Sequence, residues 1–346
     1  MSEEKFIILG KRPEEIKAWA VEQGMPAFVS RQIYDWIYRK RVRSFAAMTN
    51  ISLAHRQLLE EKALTGLSDP VGEAVSSDGT RKYLFATPSG IGVETVYIPD
   101  HDRATLCVSS QVGCKMHCAF CMTGRMGFKA QLQPHEILNQ ILSVPDPASL
   151  TNLVFMGMGE PCDNVDAVLR TISILTGEDG FGWSPKRITL SSIGLWPGLQ
   201  RVLEETSCQI AISLHTPVPS ERREWVPAEK AYPVAETIEK LRQYDFSHQR
   251  RLSFEYVMFQ GLNDDIAHAK LLLRLLSGLH CRMNLIRFHT IPDTPFATSR
   301  EDRVQAFAEY LNAKGLQTTV RASRGEDIQA ACGLLSTLRG GQAQEK

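Results

Sequence analysis

Apolar side chains recur every three to four positions across residues 13–23, 27–39 and 53–64, so the first 70 residues read as a small helical unit. The period then drops to two. Residues 81–87 and 93–98 alternate as strands do, and Pro88, Ser89 and Gly90 between them supply turn chemistry. A β-hairpin extension over 71–104 is therefore predicted. From residue 105 onward, short apolar runs at 105–112, 151–156, 186–192, 208–214, 252–259, 283–288 and 317–322 alternate with helical stretches at 134–144, 165–175, 234–244, 266–276 and 300–313. Such alternation predicts a parallel sheet with right-handed crossovers. Six or more units favour an α/β barrel or partial barrel over a small open sheet, so 105–338 is assigned to it and 339–346 to a polar tail.

In such folds the chemistry gathers where strands end. Residues 114–121 follow the first predicted strand, and Gly157-Met158-Gly159-Glu160-Pro161 follows the second. Ser191 and Gly194 follow the third, Ser213-Leu214-His215 ends the fourth, and Arg287-Phe288-His289 ends the sixth.

Composition adds only boundaries. With 43% hydrophobic and 23% charged residues among 346, the chain is ordinary globular material. Its formal net charge is zero, so any surface for a polyanion must be a local patch. The run Arg39, Lys40, Arg41 and Arg43 closes a predicted helix. It reads either as a solvated helix end, where cations complement the dipole, or as a phosphate contact if other features point to nucleic acid. No apolar run approaches the ~18 residues of a membrane span, and the N-terminus lacks the features of a signal peptide. The expected address is the cytoplasm, with no membrane partner.

Eight cysteines in a chain of this size, without a signal peptide, point to metal binding or catalysis rather than to disulfides. Three of them, Cys114, Cys118 and Cys121, make a C-x3-C-x2-C run. Thiolates on one tight loop can converge on an iron–sulfur cluster. Three ligands on a four-iron cluster leave one iron open. Structural zinc is the alternative, but it needs a closed tetrahedral set, and His117 between two of the cysteines is an awkward fourth donor. Packing of three thiols as small hydrophobes is the least favoured reading.

The C-x3-C-x2-C spacing, with Phe120 before its last cysteine, resembles the signature of the radical S-adenosylmethionine (SAM) superfamily. The Gly157–Glu160 loop resembles that superfamily's glycine-rich second motif. The resemblance implies a partial (β/α)6-type barrel and one [4Fe-4S] cluster. It implies that SAM chelates the open iron and is cleaved to a 5′-deoxyadenosyl radical. Further motifs narrow the likeness: Val93-Glu94-Thr95-Val96-Tyr97-Ile98-Pro99, the stretch from Arg103 to Cys114, Phe155 to Pro161, Ile212 to His215, Glu255-Tyr256-Val257-Met258, and Arg324 to Leu334. Together, in this order and over nearly the whole chain, they resemble the RlmN/Cfr family of adenine methyltransferases.

Pro161 matches the branch of that family that methylates C2 of an adenosine in 23S rRNA and of an adenosine beside tRNA anticodons. The other branch targets C8. A small-molecule or protein substrate, and a non-catalytic zinc or iron–sulfur RNA-binding protein, are the rival readings. The resemblance implies that Cys332 is methylated first, loses a hydrogen atom from its S-methyl group and adds to the base. Cys107 then releases the product as a Cys107–Cys332 disulfide, and Glu94 accepts the proton. It implies SAM contacts at Gly159, Glu160, Ser191, Ser213, Leu214, His215 and His289, and two SAM molecules per turnover. It further implies a flavodoxin or ferredoxin-type electron donor and a thiol reductant. Two stretches depart from the family pattern. Cys162-Asp163-Asn164 stands where Leu-Leu-Asn is common, and His289 stands where an asparagine is expected. Without the resemblance, Cys332 and Cys107 read as buried small residues.

Overall fold

The computed structural model describes residues 5–247 and 250–336; the predicted tail 339–346 lies outside them. The chain begins with α1 (Pro13–Glu22), α2 (Ala27–Tyr34) and α3 (Leu53–Lys62). Pro13 opens α1, where its missing N–H costs nothing. Ser52 caps α3 by accepting the His55 N–H. The second predicted helix continues past Tyr34 as a π-turn over Asp35–Arg39. The third ends early, because Ala63–Leu64 pairs as a short parallel strand with Phe6–Ile7.

One ten-stranded sheet dominates the rest. Its strands are β1 (Gly72–Val75), β2 (Arg81–Phe85), β3 (Val93–Asp100), β4 (Arg103–Cys107), β5 (Asn152–Phe155), β6 (Ile188–Ser192), β7 (Gln209–Ser213), β8 (Leu252–Met258), β9 (Arg282–Arg287) and β10 (Thr318–Val320). They lie side by side in chain order. The first four are antiparallel neighbours, and from β4 onward all pairs are parallel. The crossovers carry α4 (Pro134–Leu142), α5 (Val165–Thr176), α6 (Gly198–Glu205), α7 (Pro219–Trp225), α8 (Val234–Leu241), α9 (Ile266–Leu275) and α10 (Glu301–Ala313). The short helices α6 and α7 were not predicted.

The strands are two-faced, and this shapes the barrel. On β8, Leu252, Phe254, Tyr256 and Met258 are buried against the helix layer. Ser253, Glu255 and Val257 alternate onto the other side. Register then sorts the neighbours: Ser253 faces Arg282 and Glu255 faces Asn284 on β9. The concave, polar face is the lumen, and Cys107 on β4 shares it.

The predicted strand 105–112 stops at Cys107. There the backbone turns to the glycine-rich loop: Gly157 donates to the Val108 carbonyl, and Ser110 and Gln111 donate to that of Met158. Gln111–Val112 then pairs with Ala130–Gln131 instead.

Beyond β10 the chain returns across the lumen to the opposite edge of the sheet. Asp327 accepts from Ser76 Oγ at 2.5 Å and from the Ser77 N–H at 3.1 Å, and Gly325 N–H donates to Asp78 at 3.0 Å. Arg324 pairs with Asp100 at 3.0 Å, and Lys82 reaches the Gln329 carbonyl at 3.3 Å. Residues 321–336 thus strap the two ends of an open sheet together.

Candidate active site

Cys114, Cys118 and Cys121 sit on the loop after β4. Gly113 must be glycine, because a Cβ there would lie 1.8 Å from the Gly127 carbonyl oxygen. Ala119 N–H bonds the Trp225 carbonyl at 2.9 Å, which fixes the loop to α7. All three thiols are free. Burial, followed for Cys118 by the charges of the other two, pushes their pKa values up, Cys114 to about 12. The Cys121 sulfur accepts from Gly124 and Thr123, and the Arg222 charge favours the Cys118 thiolate. Three thiols, Cys114 buried and the other two half-buried, that resist ionising on their own suit a site completed by a cationic metal centre.

Among the described residues, no three His, Cys, Asp or Glu side chains gather about one point as single-ion ligands. The ring of His117 lies against Gly127. Three separate thiols on one loop, without a fourth donor, fit a four-iron cluster with one open iron better than a closed tetrahedral zinc site.

The glycine-rich loop lies beside these thiols. Gly159 adopts φ +102°, and a Cβ there would lie 2.6 Å from that of Gln111. Glu160 is buried. Its Oε1 accepts the Cys162 N–H at 3.0 Å and its Oε2 accepts the Ile193 N–H at 3.1 Å, so the carboxylate bridges the ends of β5 and β6. Burial raises its pKa, and those donors oppose the rise. Its charge also adds to the upward push on Cys114 and Cys118.

The next two strand ends carry the remaining polar groups. Ser191 Oγ and Ser213 Oγ face each other at 3.5 Å. Leu214 is buried, and His215 follows at φ +64°. The His215 Nδ1 accepts the Val257 N–H at 3.2 Å, and its ring meets Phe120 edge-on at 4.8 Å. Burial, helped by the Arg222 charge, lowers its pKa to about 3. His215 is therefore neutral, with its proton on Nε2.

Sequence reasoning missed Arg222. It is wholly buried, pairs with Glu229, and donates to the carbonyls of Leu214 at 3.0 Å, Ile193 at 3.0 Å and Ser213 at 2.8 Å. One guanidinium thus fixes the ends of β6 and β7. Nothing in Pro219–Trp225 marks it, because a charged run normally reads as a solvated face.

The strap brings Cys332 to this mouth. Met122 N–H bonds the Gly333 carbonyl at 2.8 Å, and Thr123 Oγ1 donates to the Leu335 carbonyl at 2.7 Å. Cys332 is solvent-exposed as a residue, but its densely surrounded thiol is pushed up by desolvation and by Glu255, with Arg321 opposing. Cys107 lies within electrostatic reach: after burial, the Cys332 charge is the cause that raises its pKa. Glu94 is buried on β3, paired with Lys82 at 3.0 Å and bonded by the Ser336 N–H at 2.7 Å. Burial raises its pKa against both partners. His289 stands at the end of β9 with Nδ1 3.3 Å from the Glu326 carboxylate, which ties it to the strap.

Comparison with known proteins decides the family. Residues 108–273 match the Radical SAM superfamily, and residues 8–65 match the Ribosomal RNA large subunit methyltransferase N-terminal domain. A relative from Phocaeicola vulgatus, named a probable dual-specificity RNA methyltransferase RlmN, is 56% identical over 346 residues, covering 100% of this chain and 99% of its own. The chain belongs to the RlmN family. An RlmN from Syntrophus aciditrophicus is 41% identical, covering 93% of this chain and 94% of its own. The crystal structure of a radical SAM methyltransferase from Sphaerobacter thermophilus superposes with a TM-score of 0.91 at 39% identity, covering 96% of this chain and 99% of that one. The partial radical SAM barrel expected from the sequence is therefore the fold. RlmN membership makes the chain an RNA methyltransferase, and it implies a [4Fe-4S] cluster and SAM. Among the described residues no helix is long and apolar enough to cross a membrane.

Proposed function

We propose that this enzyme methylates C2 of an adenosine in 23S rRNA and of an adenosine 3′ to the anticodon in tRNA, by way of an S-methylcysteine at Cys332. The observation that carries the reading is the bond between Met122 N–H and the Gly333 carbonyl, which joins the cysteine-triplet loop to the segment bearing Cys332. The relatives' description as dual-specificity RNA methyltransferases supports both RNA classes.

When bound, the cluster and SAM supply an electron and a 5′-deoxyadenosyl radical. Cys114, Cys118 and Cys121 hold the cluster. Glu160, Ser191, Ser213, His215 and His289, with the backbone at Gly159 and Leu214, orient SAM. Cys332 takes a methyl group from one SAM, and that S-methyl group gives up a hydrogen atom with the second. Its carbon then joins adenine C2. Glu94 takes the C2 proton, as a buried carboxylate with a raised pKa can. The adduct radical would return one electron to the cluster; Cys107 then attacks the Cys332 sulfur and breaks its bond to the bridging carbon, which takes up a proton to become the methyl group, leaving a Cys107–Cys332 disulfide. A thiol reductant reopens that disulfide, and a flavodoxin or ferredoxin-type protein supplies the electron.

Reconstituted protein incubated with protein-free 23S rRNA or tRNA, reductant and methyl-labelled SAM, followed by nucleoside mass spectrometry, tests this. The expected product is 2-methyladenosine. Labelled 8-methyladenosine would contradict the position, and 5′-deoxyadenosine without labelled RNA would contradict the substrate.

A further inference from the structure

The lumen holds a second group of side chains that the chemistry at its mouth does not use. Arg103 opens β4 and Arg282 opens β9; Arg251 directly precedes β8 and Arg321 directly follows β10. Alternation puts all four on one face. Arg103 shares it with Cys107 and Arg251 with Glu255. Arg282 shares it with Asn284, and Arg321 with Thr319, the register partner of Asn284. All four are exposed. Their charges crowd one another: after burial, Arg282, Arg321 and Arg103 are what push the Arg251 pKa down.

Among the described residues none of these guanidiniums makes an ion pair or a side-chain hydrogen bond. The carboxylates around them are engaged elsewhere. Glu255, which faces Arg251 and Arg321, accepts from Asn284 at 2.7 Å and Ser253 at 3.1 Å. Asp100 pairs with Arg324 and Glu301 with Arg287. Four guanidiniums without an ion pair, two of them faced by the buried Glu255, leave an excess of positive charge that fits a polyanion, and guanidiniums suit phosphate geometrically. Three of the four cations in the basic run at the end of the second helix are engaged, Arg41 being the exception. Arg39 pairs with Asp35 at 3.1 Å, Lys40 sits 3.5 Å over the Trp36 ring, and Arg43 pairs with Asp69.

We propose that Arg103, Arg251, Arg282 and Arg321 bind the phosphodiester backbone of the RNA beside the nucleotide whose base reaches Cys332. The proposal rests on the RNA-methyltransferase reading above. Arg103 and Cys107 are four residues apart on one strand face, about 13 Å at the usual rise per residue. That span suits a nucleotide drawn out of its stack. The RNA then approaches from the strands' N-terminal ends, opposite the cysteine-triplet loop.

Fluorescence anisotropy of the reconstituted full chain with a fluorescein-labelled anticodon stem–loop RNA, over a salt series, tests the placement. R251Q/R282Q should bind about tenfold or more weakly, with a log–log salt slope shallower by roughly 0.7–0.9 per lost phosphate contact. R39Q/R43Q should match the wild type. RNA-independent formation of 5′-deoxyadenosine should be unchanged in R251Q/R282Q, which reports an intact fold and SAM site. If that signal falls, R103Q/R321Q replaces it with the same expected RNA defect. Wild-type affinity and slope in R251Q/R282Q would overturn the arginine site alone. No salt-dependent RNA binding by the wild type would overturn the RNA reading, and the site with it.

Discussion

Ser336 donates its backbone N–H to Glu94 Oε2 at 2.7 Å, across 242 residues of chain. Glu94 is also ion-paired to Lys82, so one buried carboxylate joins β2, β3 and the strap that carries Cys332. The residue given the proton-accepting role is thus also a clamp on the residue that carries the methyl group.

Glu94→Ala should loosen the strap. A hydrogen bond to a charged group contributes about 1.5–3 kcal/mol, so amide exchange over 324–336 should accelerate by roughly one to two powers of ten. Glu94→Gln keeps an acceptor for Ser336 and should retain most of that protection while losing methyl transfer. Unchanged exchange in Glu94→Ala would contradict the clamp.

The cysteine-triplet loop makes a pH-dependent prediction. Burial holds all three thiols above their ordinary range, so loading iron must displace protons. Iron incorporation should therefore keep rising as pH increases past the ordinary thiol pKa of about 8.5, toward the raised values. Substituting Ala for any one of the three should abolish most of the cluster absorbance. One bound zinc per chain in place of iron would contradict the cluster assignment.

Arg222 and Glu229 should be strongly coupled. Removing one partner of a buried pair costs about 3–5 kcal/mol, because the other charge is left alone. Glu229→Gln and Arg222→Met should each destabilise by about that much, and the double variant by clearly less than their sum. Because Arg222 fixes the carbonyls of Ile193, Ser213 and Leu214, Arg222→Met should also weaken SAM binding. Additive stability losses would contradict the pairing.

His215 sets an acid-side prediction. Its folded pKa, about 3, lies below the ordinary 6.5. Between those values the unfolded chain takes a proton that the folded chain refuses, so stability is complete above about pH 6.5 and falls as pH drops. The slope is at most about 1.4 kcal/mol per pH unit. Denaturant titrations of cluster-free His215→Gln between pH 4 and 7 should lack that component. The same slope in wild type and variant would assign it to another group.

Local signals made much of this legible. The switch from a period near four to a period of two marked the helical start and the strands, and the cysteine spacing marked the loop before any fold was known. Long-range pairing was not legible. The bonds from Asp327 to Ser76 and from Ser336 to Glu94 span more than two hundred residues, so no window of sequence contains both partners. Arg222 looked like surface because its partners are carbonyls on other strands. Conversely, nothing in the basic run 39–43 announces that Arg43 pairs with Asp69, 26 residues further on.

The most direct test of the central claim uses Cys107→Ala. If Cys332 carries the methyl group to the base and Cys107 releases it, this variant should stall with RNA covalently attached. A labelled substrate RNA should comigrate with protein on a denaturing gel, and peptide mass spectrometry should map the link to Cys332. Full turnover by Cys107→Ala, or a cross-link at any residue other than Cys332, would contradict it.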